Sequence, residues 1–230
     1  MGRPPTYHGF RPAWYGIGTV RVVVCDPGVG NVRSVVRAIE RATQAGGSRA
    51  CDVTITRDRA VVATADYVVV PGQGAFGAFA AGIEGGLADA LREHIQAGRP
   101  YLGICLGMQV LFESSDEAPG AAGLAVLRGH VKRLEPGIDP ATSRTYALPH
   151  IGWNAVELPG APATSAPPYF YFAHTFAAEP SDPSVISGTT QYGAQRFTSA
   201  IAHGAVMGVQ FHPEKSQREG LALLARFFRL

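Results

Sequence analysis

Cysteine is scarce in this 230-residue chain: Cys25, Cys51 and Cys105 stand far apart and are odd in number. There is no Cys-x-x-Cys pair and no Cys/His cluster, so neither a disulfide framework nor a zinc site is expected. That usage fits a reducing, cytoplasmic compartment. Charge is also low, with 17% charged residues and a formal net charge of +2, which leaves no basic footprint for nucleic acid. No apolar run reaches the ~18 residues of a membrane span. Met1 to Thr19 lacks the apolar core and the small-residue cleavage pattern of a signal peptide. Rich in Gly, Pro, Tyr, Trp and Arg, it is expected to be a flexible extension over residues 1–19, or the product of a start codon assigned too early. One domain is expected over residues 20–230, and no internal repeat is visible.

What is present is an ordinary globular balance, 46% hydrophobic, enough for a sizeable core. Val20 to Cys25 is β-branched and nearly all apolar, as in a strand buried on both faces of a sheet. It runs into Asp26-Pro27-Gly28-Val29-Gly30-Asn31, a turn whose Asn31 can cap the next helix. Val32, Val35, Val36 and Ile39 fall at helical spacing, and Gly46-Gly47 stops that helix. Cys51–Thr56 and Tyr67–Val70 read as further strands, the latter leading into Pro71-Gly72-Gln73-Gly74-Ala75-Phe76. Leu87, Leu91 and Ile95 mark another helix. This alternation predicts a parallel α/β sheet, whose ligands bind beyond the strand C-termini. From Leu124 the strands shorten: 124–131, 154–158, 169–174, 185–191, 197–202 and 206–212. They are expected to add antiparallel strands to the parallel core. Leu221, Leu224, Phe227 and Phe228 share one face of a terminal docking helix.

The stretch Tyr101-Leu102-Gly103-Ile104-Cys105-Leu106-Gly107-Met108-Gln109 carries the chemistry. A short buried strand, a turn at Cys105 and a helix make a Gly-x-Cys-x-Gly elbow, the thiol counterpart of the hydrolase Gly-x-Ser-x-Gly. The helix N-terminus is expected to favour thiolate over thiol. The N–H of Leu106 then points where an oxyanion forms. A lone Cys between small residues is as often an inert packing residue. His212-Pro213-Glu214, at the end of another buried strand, tips that balance. In an extended segment residues i and i+2 share a side, so His212 can face Cys105 while Glu214 holds its other nitrogen.

Together, Gly103–Gln109 and Gln210-Phe211-His212-Pro213-Glu214 resemble the class I (triad) glutamine amidotransferases, over roughly residues 20 to 230. Pro149-His150-Ile151-Gly152-Trp153-Asn154, Tyr171-Phe172-Ala173-His174-Thr175-Phe176 and His212–Ser216 narrow the resemblance to the glutaminase subunits of imidazole glycerol phosphate synthase. The resemblance implies a single three-layer α/β domain with a central mixed, mostly parallel sheet flanked by helices. It implies hydrolysis of glutamine through a glutamyl thioester, with Cys105 as nucleophile, His212 as base and Glu214 orienting it. The ammonia would pass to a (β/α)8-barrel cyclase subunit in a heterodimer, for histidine biosynthesis, with no cofactor and no metal. The resemblance also implies that the backbone at Gln73 joins Leu106 as an oxyanion donor, in a strand end whose peptide flips, a tight turn that needs glycine being the rival reading. Gly72, Gly74, Gln109, His174, Thr175 and Phe176 are the implied substrate contacts. Asn31, Trp153 and Lys215 are the implied partner contacts. For Trp153 a core position is the rival reading, for His174 a structural histidine, for Lys215 an idle surface lysine. Pro27, Gln73 and Phe176 depart from the family's usual residues without removing a catalytic group. The glutaminase of another pathway, a non-catalytic scaffold and a peptidase-like hydrolase stand as alternatives.

Overall fold

Alternating strands and helices fill the first hundred residues of the computed structural model, which describes residues 19–26, 32–45, 51–83, 86–160 and 166–228. Most of the expected N-terminal extension, the glycine turn with Asn31, and Gly46-Gly47 lie outside these. The order is β1 (Val20–Cys25), α1 (Val32–Ala45), β2 (Cys51–Thr56), α2 (Arg59–Ala63), β3 (Tyr67–Gly72), α3 (Phe76–Gly82), α4 (Leu87–Gln96), β4 (Tyr101–Cys105) and α5 (Leu106–Gln109). There follow β5 (Ser114–Ser115), β6 (Gly129–Arg133), β7 (Ile138–Asp139), β8 (Arg144–Thr145), β9 (His150–Ala155), β10 (Tyr169–His174) and β11 (Phe176–Pro180). The last elements are β12 (Ile186–Tyr192), β13 (Gln195–His203), β14 (Val206–Val209) and α6 (Gln217–Phe227).

The central sheet has seven strands in the order β12-β13-β14-β4-β3-β1-β2. Five are parallel, and β12 and β13 extend the edge antiparallel. Successive side chains leave a strand on opposite faces, and β1 shows the consequence. Val23 and Cys25 pack with α2, α3 and α4, while Val20, Val22 and Val24 pack against α1 and α6. Three layers result. Helix α1 buries Val35, Ala38, Ile39 and Ala42 at i, i+3, i+4 and i+7, and each large apolar side chain so buried contributes about 1.5–3 kcal/mol. In α6, Leu224 and Phe228 are buried as expected of a docking face.

The second half differs from the sequence expectation in four places. Only β12, β13 and β14 join the core sheet, β14 parallel to β4 rather than antiparallel; β9–β10, β5–β6–β11 and β7–β8 form small sheets of their own. Residues 124–128 are not strand. They hug the turn after α5, with Leu124 N–H bonded to Val110 O and Ala125 at φ 51°. Gly123 sits so close that a Cβ there would lie 2.0 Å from Phe112 O. The strand expected at 154–158 is instead His150–Ala155, and the unexpected β11 pairs with β6. Strand β14 stops at Val209, because Pro213–Lys215 closes a 3-10 turn just beyond.

Candidate active site

Three neighbouring strand ends, β3, β4 and β14, converge at the carboxyl edge of the central sheet. Gly72 pairs with Cys105 across β3 and β4. Cys105 sits at φ 53°, ψ −109°, a strained backbone for a residue with a Cβ. The flanking glycines explain how the elbow fits. A Cβ on Gly103 would lie 2.3 Å from Gly107 O, and one on Gly107 would lie 1.8 Å from Val70 O. Tyr101 Oη donates to Gly107 O at 2.9 Å and holds the turn from below. The helix expected after Cys105 is corrected to a single turn, Leu106–Gln109. So short a helix has little macrodipole, and the environment of the sulfur is set by side chains.

His212 and Glu214 meet by a different geometry from the extended one expected. His212 is extended, but Glu214 lies on the 3-10 turn that Pro213 opens. Its Oε1 folds back to 2.9 Å from His212 Nδ1, both side chains being buried. Ser216 Oγ donates to His212 O at 2.6 Å, and His212 N–H donates to Tyr171 O at 2.8 Å. The backbone that carries the imidazole is thus tied to the start of α6 on one side and to β10 on the other. Burial works against a charge on His212, but hydrogen bonds with Cys105 and Glu214 and the negative charges of both outweigh it. Its pKa is pushed up to about 9.

These groups open on one cavity of about 290 Å³, lined among others by Gln73, Gly74, Cys105, Leu106, Thr175 and Phe176. Gln109, His174, His212 and Lys215 also reach it. Gly72 does not: it is buried behind the elbow, where a Cβ would lie 2.7 Å from Leu106 Cβ. Gln109 is in the wall, but its amide nitrogen turns inward, giving hydrogens to Phe176 O at 2.8 Å and Gln210 Oε1 at 2.9 Å. His174 is a buried wall residue whose Nδ1 donates to Phe176 O at 2.9 Å; burial brings its pKa down to about 3.

Trp153 is not in the core. It is 46% exposed on β9, beside Ile151 at 63% and Tyr169 at 55%. Its ring meets Tyr171 edge-on at 6.2 Å, and Lys215 Nζ lies 5.6 Å above the Tyr171 ring. An aromatic strip therefore runs from Trp153 to the cavity mouth. Cys25 is fully buried and its thiol is pushed up to about 12, mainly by desolvation.

Sequence reasoning missed Glu117, Gln210 and Tyr171. Glu117 brings the only carboxylate among the described lining residues, and its Oε2 accepts from Phe76 N–H at 2.7 Å. No spacing marks it in the loop Ser-Ser-Asp-Glu. Gln210 left a signal: a glutamine inside the apolar run Val-Met-Gly-Val-Gln-Phe is a buried polar group that needs partners.

A strained cysteine elbow facing a carboxylate-held histidine, on a seven-stranded α/β sheet, defines a thiol hydrolase of the class I glutamine amidotransferase type, and the family model of that description matches residues 23–230. A solved glutamine amidotransferase superposes with a TM-score of 0.64 at 19% identity, over 89% of this chain and 98% of that one. The PurLQS structure from Thermotoga maritima gives 0.63 at 16% identity, over 91% and 98%. At those identities they speak for the fold alone. The imidazole glycerol phosphate synthase subunit HisH of Pyrococcus furiosus is 39% identical over 91% of this chain and 99% of its own. The HisH subunits of Moorella thermoacetica and Aquifex aeolicus are 41% and 40% identical, each over 91% of this chain, and over 94% and 97% of their own. The chain belongs to the class I glutamine amidotransferases, and within them to the family of HisH subunits.

Proposed function

We propose that the chain is the glutaminase of an imidazole glycerol phosphate synthase and works in a heterodimer with a (β/α)8-barrel cyclase subunit, in the cytoplasm, for histidine biosynthesis. The observation that carries the reading is the convergence of Cys105 and a His212 held protonated by buried partners on a cavity with one carboxylate in its wall. Cys105 Sγ attacks the side-chain carboxamide carbon of glutamine, its proton having passed to His212. The carbonyl oxygen gathers negative charge opposite the N–H groups of Leu106 and Gln73. The C–N bond breaks as His212 returns the proton to the departing ammonia, leaving a thioester. Water then attacks, His212 takes its proton, the C–S bond breaks, and glutamate leaves. Glu214 orients His212 throughout. Glu117 faces the substrate's ammonium, and Thr175 and Phe176 its carboxylate end.

Trp153, Tyr171 and Lys215 form the docking strip for the cyclase, next to the cavity mouth so that ammonia is handed over without release. Charge-depleted aromatic anchors of this kind dominate protein interfaces. The test is glutamate release by the chain alone, with the cyclase, and with cyclase and its ligand, alongside imidazole glycerol phosphate formation from glutamine or from ammonium salts. Glutamine-dependent formation is expected only with both subunits. Its absence, with ammonium still supporting the cyclase, would overturn the reading.

A further inference from the structure

The sulfur of Cys105 has a second neighbour besides His212. Gln210, fully buried, places Nε2 3.5 Å from Sγ. Which end of that amide faces the sulfur is fixed by what lies behind it. Gln109 Nε2 is 2.8 Å from Phe176 O and 2.9 Å from Gln210 Oε1. A carbonyl oxygen only accepts, so Gln109 gives one hydrogen to each, and Gln210 has its own NH2 left for the sulfur. The same logic continues outward. Phe176 O also takes the Nδ1 hydrogen of His174 at 2.9 Å, so the Nε2 of that ring accepts. His150 Nδ1, 3.2 Å from it, must donate. That leaves His150 Nε2 to accept from Asn154 Nδ2 at 3.3 Å, the second hydrogen of Asn154 going to Gln191 O at 3.0 Å. Burial lowers the pKa of His150 to about 4 and that of His174 to about 3, so both rings stay neutral and keep one donor each.

We propose that Gln210 is a positioning residue for Cys105, aiming a donor at Sγ, and that the hydrogen-bond file from Asn154 through His150, His174, Phe176 O and Gln109 fixes its orientation. The proposal rests on Cys105 being the nucleophile, as in the function proposed above. A donor at 3.5 Å stabilises a thiolate more than a thiol, because hydrogen bonds to charged acceptors are the stronger ones. It supplies what the single turn of α5 cannot. It also holds Sγ in one rotamer on a strained backbone, so that His212 and the oxyanion donors meet it in register. A glutamine with its amide reversed would present Oε1 to the sulfur and repel the thiolate. The file prevents that reversal, since every member has its donor and acceptor ends already assigned.

The test reads the sulfur without glutamine or cyclase. The full chain, its three cysteines intact, is alkylated with iodoacetamide from pH 5 to 10, and modification at Cys105 is followed by peptide mass spectrometry. Gln210→Met, which keeps the volume and removes the donor, is expected to move the Cys105 midpoint upward by about one unit, equivalent to about tenfold less thiolate below it. In the complex it should lower kcat about tenfold with KM for glutamine within about twofold, because the interaction is with the nucleophile rather than the bound substrate. Asn154→Leu, at a half-buried site on β9, should shift the midpoint in the same direction by a smaller amount. A Gln210→Met protein whose melting temperature falls while its midpoint and kcat stay at wild-type values would reduce Gln210 to packing and overturn the proposal. If Gln210→Met does not fold, Asn154→Leu decides, and an unshifted midpoint overturns it. A wild-type chain that alkylates as expected yet releases no glutamate with the cyclase would defeat the proposed function and leave the positioning role standing.

Discussion

Two walls of one cavity each bury a histidine, and only one of them holds a charge. His212 and His174 are both nearly inaccessible. His212 has a carboxylate at 2.9 Å and is pushed up to about 9. His174 has a backbone carbonyl at 2.9 Å and a second imidazole, and is brought down to about 3. Burial penalises the charged form in both; the partner decides the outcome. The wall on the β14 side is built to move a proton. The wall on the β9–β10 side is built so that no proton moves and every donor keeps its direction. The same residue type thus serves chemistry in one wall and orientation in the other.

The largest way to break this contrast is to remove the sulfur. Cys105→Ala is expected to abolish glutamate release while ammonium still supports the cyclase. Cys25→Ala and Cys51→Ala should keep glutaminase activity, which a parallel assay of the three variants checks. Next comes the partner of His212. Glu214→Gln removes a hydrogen bond to a charged acceptor and one of the charges that raise His212, so the histidine pKa should fall from about 9 towards its ordinary 6.5. Imidazolium is the form that gives the leaving nitrogen its proton, so the alkaline limb of kcat/KM, expected near pH 9 for the wild type, should move to lower pH. Turnover should drop by about tenfold or more but stay above that of His212→Asn, as graded effects within triads suggest. Because His212 is raised in the folded state, its stabilising effect is full below about pH 6.5 and is lost as pH climbs through about 9. Thermal melts from pH 6 to 10 should show that loss in the wild type and little of it in Glu214→Gln.

Much of this contrast was legible in the residues. The elbow glycines, the apolar strands around them and the His-x-Glu at a strand end are local patterns, and local patterns survive into the fold. Elements set by close backbone approach were not legible. Residues 124–128 have the apolar look of a strand, yet they wrap the turn after α5 because Gly123 lets the chain touch Phe112 O. The length of α5 was also out of reach, since its end is imposed by packing against the 121–128 segment. Glu117 becomes a site residue only through the turn that brings it to the cavity, and Tyr171 only through the β9–β10 pairing that sets it opposite Trp153, and no sequence spacing records either.

Trp153 tests the outer face of the neutral wall. At 46% exposure, with Tyr171 edge-on, its truncation leaves no core cavity. Trp153→Ala should therefore spare the melting temperature of the isolated chain, where a core tryptophan would cost ~3–5 kcal/mol. The affinity for the cyclase should fall by ~2 kcal/mol or more, roughly 30-fold, measured by calorimetric titration. A large drop in melting temperature with unchanged affinity would return Trp153 to a structural role.

The smallest expected effect lies at Gln73, where an oxyanion donor is proposed. The strand β3 ends in Pro71-Gly72, and Gly74 follows Gln73 at φ 103°. With glycine on both sides, the peptide between Gly72 and Gln73 can rotate at little steric cost. On the oxyanion role proposed for Gln73, one orientation would turn its N–H to the developing charge and the other the Gly72 carbonyl, and one such donor is worth roughly 2.7–4 kcal/mol in related sites. A cyclase ligand that favours the N–H orientation raises turnover by no more than its differential affinity for the two states. The Gln73 side chain, half-buried at the cavity edge, can hydrogen-bond locally and bias the resting orientation. Gln73→Val removes that capacity. It should change basal glutaminase activity of the isolated chain a few-fold and leave the ligand-stimulated rate of the complex within about twofold, since the partner sets the orientation there. Stopped assays of glutamate release in the three states check this, and an isolated chain already at the full rate of the liganded complex would rule out any switch at this strand end.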